Sequence, residues 1–331
     1  MSNFEVGVDD LRQTQSSIFF IVGTSRSGST LLQSMLNMHS HITIPPETHF
    51  FNSYDKIKRR LRKKNGSYCI NDVINYWYDN KTRILDLKLS SNNIKEYAKK
   101  LELTTPFELY NLHLTMYRLQ RDKAVVGEKT PRHIRHVDTI LDLYPEAKII
   151  ALFRDPRATA NSEINAQFGS PSVMITTQRW RKYVKIHNHL SQSLPESKYL
   201  MIQYRDMIKD PKLILKQVVS FLGWEFEPKM LHYYKRSSKE QGFTQDELDW
   251  KNETLEPLKT DKNEKWKDQL NNWQVYLIEK TASPWLQNMG YTPYAKKLNM
   301  VHAFAFVLLD IWRSLWATVT GARDEGYIDS K

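Results

Sequence analysis

Cysteine is almost missing. The 331-residue chain holds one, Cys69, which excludes an internal disulfide framework and an all-cysteine metal site. Long uncharged apolar runs are also missing, so no segment reads as a membrane span. The first fifteen residues are polar and carry Asp9 and Asp10, unlike a signal peptide or an anchor. A reducing cytoplasm is the simplest expectation. Acidic residues are in deficit, 37 Asp and Glu against 48 Lys and Arg, for a net charge of +11. That balance implies an anionic ligand, an acidic substrate or an anionic surface. No nucleic-acid module accompanies it, so nucleic acid is not an expected partner. The histidines show no metal-ligand spacing, and no metal is expected. The pairs His133/His136 and His187/His189 read as helix-surface residues. The length suits one large α/β domain with a sizeable core.

What is present is concentrated at Ser17 to Leu36, SIFFIVGTSRSGSTLLQSML. Ile18 to Val22 is a short apolar run of the kind a buried parallel strand shows. Gly23 and Gly28 bracket a turn. Ser29 and Thr30 open a helix in which Leu31, Leu32, Met35 and Leu36 recur at helical spacing. A strand, tight loop and helix in that order aim backbone N–H groups, a helix dipole and hydroxyls at one point, an anion site.

The glycine spacing matches a Walker A loop, but Ser29 stands where its lysine belongs, and the cation, Arg26, lies inside the loop. An ATPase or kinase needs that lysine on its β- and γ-phosphates. A nucleotide kinase or other NTPase is therefore the weaker enzymatic alternative. A membrane- or polyanion-binding protein on an inactive scaffold is the non-enzymatic one.

Downstream, His39 to Ile44 is a candidate second strand, closed by Pro45 and Pro46. Lys56 to Lys64 contains seven basic residues in nine, either a solvated helix face or a patch for an acidic partner. Residues 71–121 read as mostly helical. Ala124–Pro131 is a strand ending in a loop, followed by a helix over His133–Leu143. Lys148–Phe153 is a continuous apolar strand, Arg154–Arg157 its loop, and Ala158–Ala166 a helix. A helix over 173–194, a strand over Tyr199–Tyr204 and a helix from Asp210-Pro211 to Leu222, stopped by Gly223, complete the pattern. Repeated strand–loop–helix units predict an α/β fold, a P-loop-like doubly wound parallel sheet with helices on both faces. Residues 232–270 read as a long loop over the ligand, and Glu264–Leu286 as a helix. Beyond Pro293, Val301, Phe304, Ala305, Leu308, Ile311, Trp312, Leu315 and Trp316 recur at three and four. They predict one C-terminal amphipathic helix that docks on the globule or a dimer partner, or lies peripherally on a membrane. The expected boundaries are a tail over 1–16, the main domain over 17–293, and the helix and tail over 299–331.

Four matches in order make the chain similar to sulfotransferases that use 3′-phosphoadenosine 5′-phosphosulfate (PAPS). They are Arg26-Ser-Gly-Ser-Thr30, Gly127-Glu-Lys-Thr-Pro131, Lys148-Ile-Ile-Ala-Leu-Phe-Arg-Asp-Pro-Arg157 with Ser162, and Tyr199-Leu-Met-Ile-Gln-Tyr-Arg-Asp-Met207 with Asp210-Pro211 and Phe221-Leu-Gly223. The motifs resemble the tyrosylprotein and heparan-type carbohydrate branches most. The glycine-rich late motif of the cytosolic phenol and steroid enzymes is missing.

The resemblance implies PAPS as sulfate donor, without a metal. It implies donor contacts from Arg26, Ser27, Gly28, Ser29 and Thr30 at the phosphosulfate and from Arg154 and Ser162 at the 3′-phosphate. Tyr204, and Lys262, Lys265 and Trp266 further on, would add contacts. Arg26 and Lys129 would hold the leaving oxygen. Glu47, in Glu47-Thr-His-Phe-Phe51, is the implied general base, with His49 its rival. The acceptor would be a hydroxyl, less readily an amine, of a carbohydrate, lipid-linked or peptidyl molecule.

Overall fold

In the computed structural model, residues 5–79, 83–166, 169–236, 255–258 and 264–319 are described. Five strands, β1 (Phe19–Gly23), β2 (Ile42–Thr43), β3 (Val125–Lys129), β4 (Lys148–Phe153) and β5 (Tyr199–Gln203), form a parallel sheet in the order β2-β3-β1-β4-β5. The chain leaves β1 toward β3 on one side and continues through β4 and β5 on the other. The crevice beyond the carboxyl ends of β1 and β4 is thus a topological switch point, where open α/β sheets bind ligands.

Both faces of the sheet are covered, which is why β1 and β4 are apolar runs without alternation. Phe20, Val22, Ile149, Ala151 and Phe153 enter one core, with α6 (Pro106–Leu119) and α9 (Val173–Ser193) against it. Phe19, Ile21, Ile150 and Leu152 enter the other, against α2 (Ser29–Leu36) and α11 (Pro211–Leu222). Burying one such side chain stabilises by about 1.5–3 kcal/mol, so a polar substitution on either face of β1 would be costly. The expected doubly wound fold is the fold observed.

Several elements follow their local signals. Thr105 and Glu108 form a capping box before α6, with Pro106 at its first position. Asp210 accepts from the Leu213 N–H at 2.9 Å to start α11, and Gly223 ends it at φ 89°.

Others depart from expectation. The described part of the expected tail over 1–16 is structured: α1 (Val8–Ser17) packs on α6, Val6 and Thr14 are fully buried, and Arg118 Nε donates to Thr14 Oγ1 at 3.2 Å. The segment over His133–Leu143 opens as a 3-10 turn, Pro131–His136, before α7 (Val137–Leu143). His133 is thereby fully buried, not on a helix surface. The helix expected over 264–286 is three pieces, α12 (Trp266–Gln269), α13 (Asn272–Ala282) and α14 (Trp285–Asn288). Of the loop expected over 232–270, residues 237–254 and 259–263, with Lys262, lie outside the described residues. The C-terminal helix α15 (Met300–Val319) is present.

Candidate active site

The carboxyl ends of β3, β1, β4 and β5 gather the site. Lys129 ends β3, Thr24 to Thr30 follow β1, Arg154 follows β4 and Tyr204 follows β5. Gly23 lets β1 turn against β4: its φ is 132°, and a Cβ there would stand 2.0 Å from the Leu152 carbonyl oxygen. Gly28 has φ 87°, and a Cβ on it would lie 2.5 Å from the Tyr204 ring. A side chain at either position is excluded by conformation and by space.

Gly28 is the N-cap of α2 and caps it with no side chain. The first-turn N–H groups of a helix have no partners within it, so this terminus offers donors to an anion. Cations surround it. Arg26, at φ 62°, donates from Nε to Ser162 Oγ at 2.9 Å. Arg154 Nη1 donates to the Arg26 carbonyl at 3.2 Å, and its guanidinium stacks 4.4 Å from the centre of the Tyr204 ring. Trp180 Nε1 donates to the Arg154 carbonyl at 2.9 Å, fixing that strand end to α9. Ser162 lies on α8 (Pro156–Ile164), whose start is capped by Asp155 accepting from the Arg157 N–H at 2.8 Å. Ser27 is buried and donates to the Thr24 carbonyl, shaping the turn.

On the opposite side of the loop, Lys129 is fully buried, and its Nζ donates to Glu47 Oε1 and, at 3.4 Å, to Thr30 Oγ1. A buried ammonium without an anion would be costly, and Glu47 supplies one. The Glu47 side chain is 24% exposed and Lys129 is 0%, so an incoming molecule meets the carboxylate first. His49 Nε2 stands 3.3 Å from Glu47 Oε2, and the Asn52 amide nitrogen 3.3 Å from His49 Nδ1. Burial pushes the His49 pKa down against the opposing pull of Glu47, which favours the uncharged imidazole.

A second buried layer, with Glu128 at its centre, holds this turn. Glu128 Oε1 accepts from Thr48 Oγ1 at 3.0 Å and Thr130 Oγ1 at 2.7 Å, and Oε2 faces His133 Nδ1 at 2.9 Å. The Phe51 N–H donates to His133 Nε2 at 3.3 Å, which places the imidazole proton on Nδ1, facing Glu128. Tyr110 OH completes the layer 3.0 Å from Thr48 Oγ1. Burial raises the Glu128 pKa, but His133 and the hydroxyls of Thr130 and Thr48 outweigh it and hold the carboxyl below its ordinary value. Sequence reading assigned no role to Glu128 and put His133 on the surface. The one available signal was Glu128 standing beside Lys129 on a strand buried on both faces.

Arg26, Ser27, Gly28, Ser29, Thr30, Glu47, Lys129, Arg154, Ser162 and Tyr204 thus come together. Trp266 opens α12, which packs on α8, the helix that carries Ser162, and Lys265 precedes it. Lys265 is exposed at the start of α12. Trp266 is 3% exposed, with the Arg157 guanidinium 4.2 Å from its ring centre and Tyr294 against its edge. Its ring is filled from the protein side and leaves no open face for a base. Arg157 itself is structural, bonded to both Asp155 oxygens and to Glu279.

The sequence profile described as the sulfotransferase family matches residues 19–228. The chain is 22% identical over 291 residues to a protein-tyrosine sulfotransferase of Drosophila melanogaster, covering 84% of this chain and 52% of that protein, about half its length. It is 22% identical over 303 residues to protein-tyrosine sulfotransferase A of Caenorhabditis elegans, covering 88% and 71%. Among solved structures, the sulfotransferase domain from the curacin biosynthetic pathway superposes with a TM-score of 0.60 at 22% identity, over 84% of this chain and 99% of that one. The domain from the Synechococcus PCC 7002 olefin synthase gives 0.56 at 22% identity, over 81% and 96%. Both likenesses concern the fold. The chain belongs to the family that its sequence resembles, the PAPS-dependent sulfotransferases.

Proposed function

We propose that the chain transfers the sulfuryl group of PAPS to an acceptor hydroxyl, with Glu47 as the general base. The observation that carries this reading is the Glu47 carboxylate, partly exposed and held between buried Lys129 and His49, with Lys129 also donating to Thr30 at the start of α2. The residues fit the donor: the uncapped helix terminus and Thr30 suit its 5′-phosphosulfate, and the Arg154 fork with Ser162 suits its 3′-phosphate.

In this reading Glu47 takes the acceptor's hydroxyl proton as its oxygen bonds to sulfur. The bond between sulfur and the bridging phosphate oxygen breaks, and 3′,5′-adenosine diphosphate leaves. Lys129 neutralises the charge that grows on that oxygen, and the helix terminus orients the phosphate for in-line displacement. Arg26 lies on the Ser162 side of the loop, so we assign it to donor phosphate binding more than to the reacting end. His49 orients Glu47 through Nε2 and is not the base.

Peptidyl tyrosine is the first acceptor class to test, since the two relatives above carry protein-tyrosine sulfotransferase in their names. Carbohydrate and lipid-linked hydroxyls follow. The single cysteine supports a reducing, cytoplasmic setting. The experiment is transfer of radiolabelled sulfate from PAPS to a panel of tyrosine peptides, sugars, lipids and phenols. Label on none of them, with ATP turned over in its place, would contradict the reading.

A further inference from the structure

The C-terminal helix is inside out for a surface helix. Its one acidic residue faces the protein. Asp310 is fully buried and accepts from the Val173 N–H at 3.0 Å, the Met174 N–H at 3.1 Å and the Ser172 hydroxyl, capping the start of α9. Phe306 stacks on Trp273 at 5.1 Å, and Arg313 covers the same ring at 5.4 Å. The apolar stripe that sequence periodicity identified points outward. Val301 is 77% exposed, Phe304 66%, Leu308 52%, Trp312 59% and Leu315 62%. The expectation that this stripe docks on the globule is corrected: the helix docks by its other side, through Phe306 and Val307 and through Asp310, whose carboxylate is satisfied by two helix N–H groups and a hydroxyl. The side chain of Trp316, also in the expected stripe, lies outside the described residues.

We propose that this outward face rests on an anionic lipid surface, with the helix lying flat in the membrane interface. The inference stands apart from the donor and acceptor chemistry. An apolar stripe along a 20-residue helix, about 30 Å long, is larger than the scattered apolar contacts a monomer normally leaves in water. No helix among the described residues is long and apolar enough to cross a membrane. The Asp310 anchor holds the axis against α9, so the stripe is presented along its length.

Charge selects lipid over a second copy of the chain. The only carboxylate between 300 and 319 is Asp310, and it is turned inward, so the outward face holds nothing to repel an anionic headgroup. Lys296 and Lys297 are exposed just before the helix. The chain's net charge of +11 attracts acidic lipid and opposes self-association. Trp312 is suited to the headgroup boundary.

The test is co-sedimentation of the full chain with vesicles of phosphatidylcholine alone and of phosphatidylcholine mixed with phosphatidylglycerol. The chain is expected to pellet with the mixed vesicles and much less with the neutral ones. Leu308→Glu with Trp312→Glu, both at exposed positions, should lower partition by more than about tenfold while circular dichroism and affinity for 3′,5′-adenosine diphosphate stay unchanged. Lys296→Glu with Lys297→Glu should weaken binding to the mixed vesicles only. The proposal is overturned if the wild-type chain stays in the supernatant with both vesicles, or if the Leu308→Glu/Trp312→Glu chain pellets like wild type. It is equally overturned by a dimer in sedimentation equilibrium that this variant abolishes, which would make a second copy the occupant.

Discussion

Arg26 Nε donates to Ser162 Oγ across 2.9 Å. One residue belongs to the loop after β1 and the other to the helix after β4, so this bond joins the two halves of the expected donor clamp. Sequence reading placed them at opposite ends of the donor, Arg26 at the phosphosulfate and Ser162 at the 3′-phosphate. Their contact makes the clamp one connected unit, with Arg154 bonded to the carbonyl of Arg26 at 3.2 Å beneath it.

The unit should show in energetic coupling. Calorimetry with 3′,5′-adenosine diphosphate is expected to show a loss of about 2–5 kcal/mol for Arg26→Ala or Arg154→Ala, the cost of truncating a charge-assisted clamp. Ser162→Ala should lose about 0.5–1.5 kcal/mol. The double variant Arg26→Ala/Ser162→Ala should depart from additivity by more than about 0.5 kcal/mol. Strict additivity would mean that the bond between them does not matter for donor binding.

Glu128→Gln should destabilise the fold by about 1–3 kcal/mol, because the amide cannot accept from His133 and both hydroxyls in the same geometry. Its pH signature has a fixed sign. The folded-state pKa of Glu128 lies below the ordinary 4.5, so its contribution is complete above that pH and is lost as pH falls through the folded value. Urea unfolding at a series of acidic pH values should therefore show wild type and Glu128→Gln converging as the pH falls. Parallel curves would remove Glu128 from the account.

His49 carries a second pH dependence, at higher pH. Its folded-state pKa is below the ordinary 6.5, so the unfolded chain binds the extra proton first. Stability is complete above 6.5 and declines as pH falls toward the folded value. In His49→Gln that decline should be shallower, as chemical denaturation between neutral and mildly acidic pH would reveal. A steeper decline would show the imidazole to be protonated in the native state.

Gly28→Ala should cost at least about 1–3 kcal/mol in strain alone and push Tyr204 away from Arg154. Thermal melts would register the destabilisation, and calorimetry a larger loss of donor affinity. An unchanged affinity would mean that the loop can move without disturbing the clamp.

The sheet was legible because buried parallel strands announce themselves as apolar runs: Lys148–Phe153 is a strand as read, and the strand expected over Tyr199–Tyr204 ends one residue earlier, at Gln203. The Asp210 cap and the Gly223 stop were legible for the same local reason. The layer around Glu128 was not, since a buried carboxylate looks in sequence like any surface carboxylate until its partners are placed. Periodicity showed that α15 has an apolar stripe but could not say which side of the helix meets the protein. Asp310, the one acidic residue of that helix, anchors it to α9. Trp266 was read as a ligand contact because of its neighbourhood in the chain, yet its ring is consumed by Arg157.

Glu47 is the central claim. Its carboxylate is expected to take the acceptor proton while Lys129 and the α2 terminus hold the donor, so Glu47→Gln should separate chemistry from binding. The direct measurement is single-turnover sulfate transfer from radiolabelled PAPS by Glu47→Gln, beside calorimetry with 3′,5′-adenosine diphosphate on the same protein. The account predicts a rate at least about 100-fold below wild type with nucleotide affinity close to wild type. Transfer at the wild-type rate with intact nucleotide binding would contradict it.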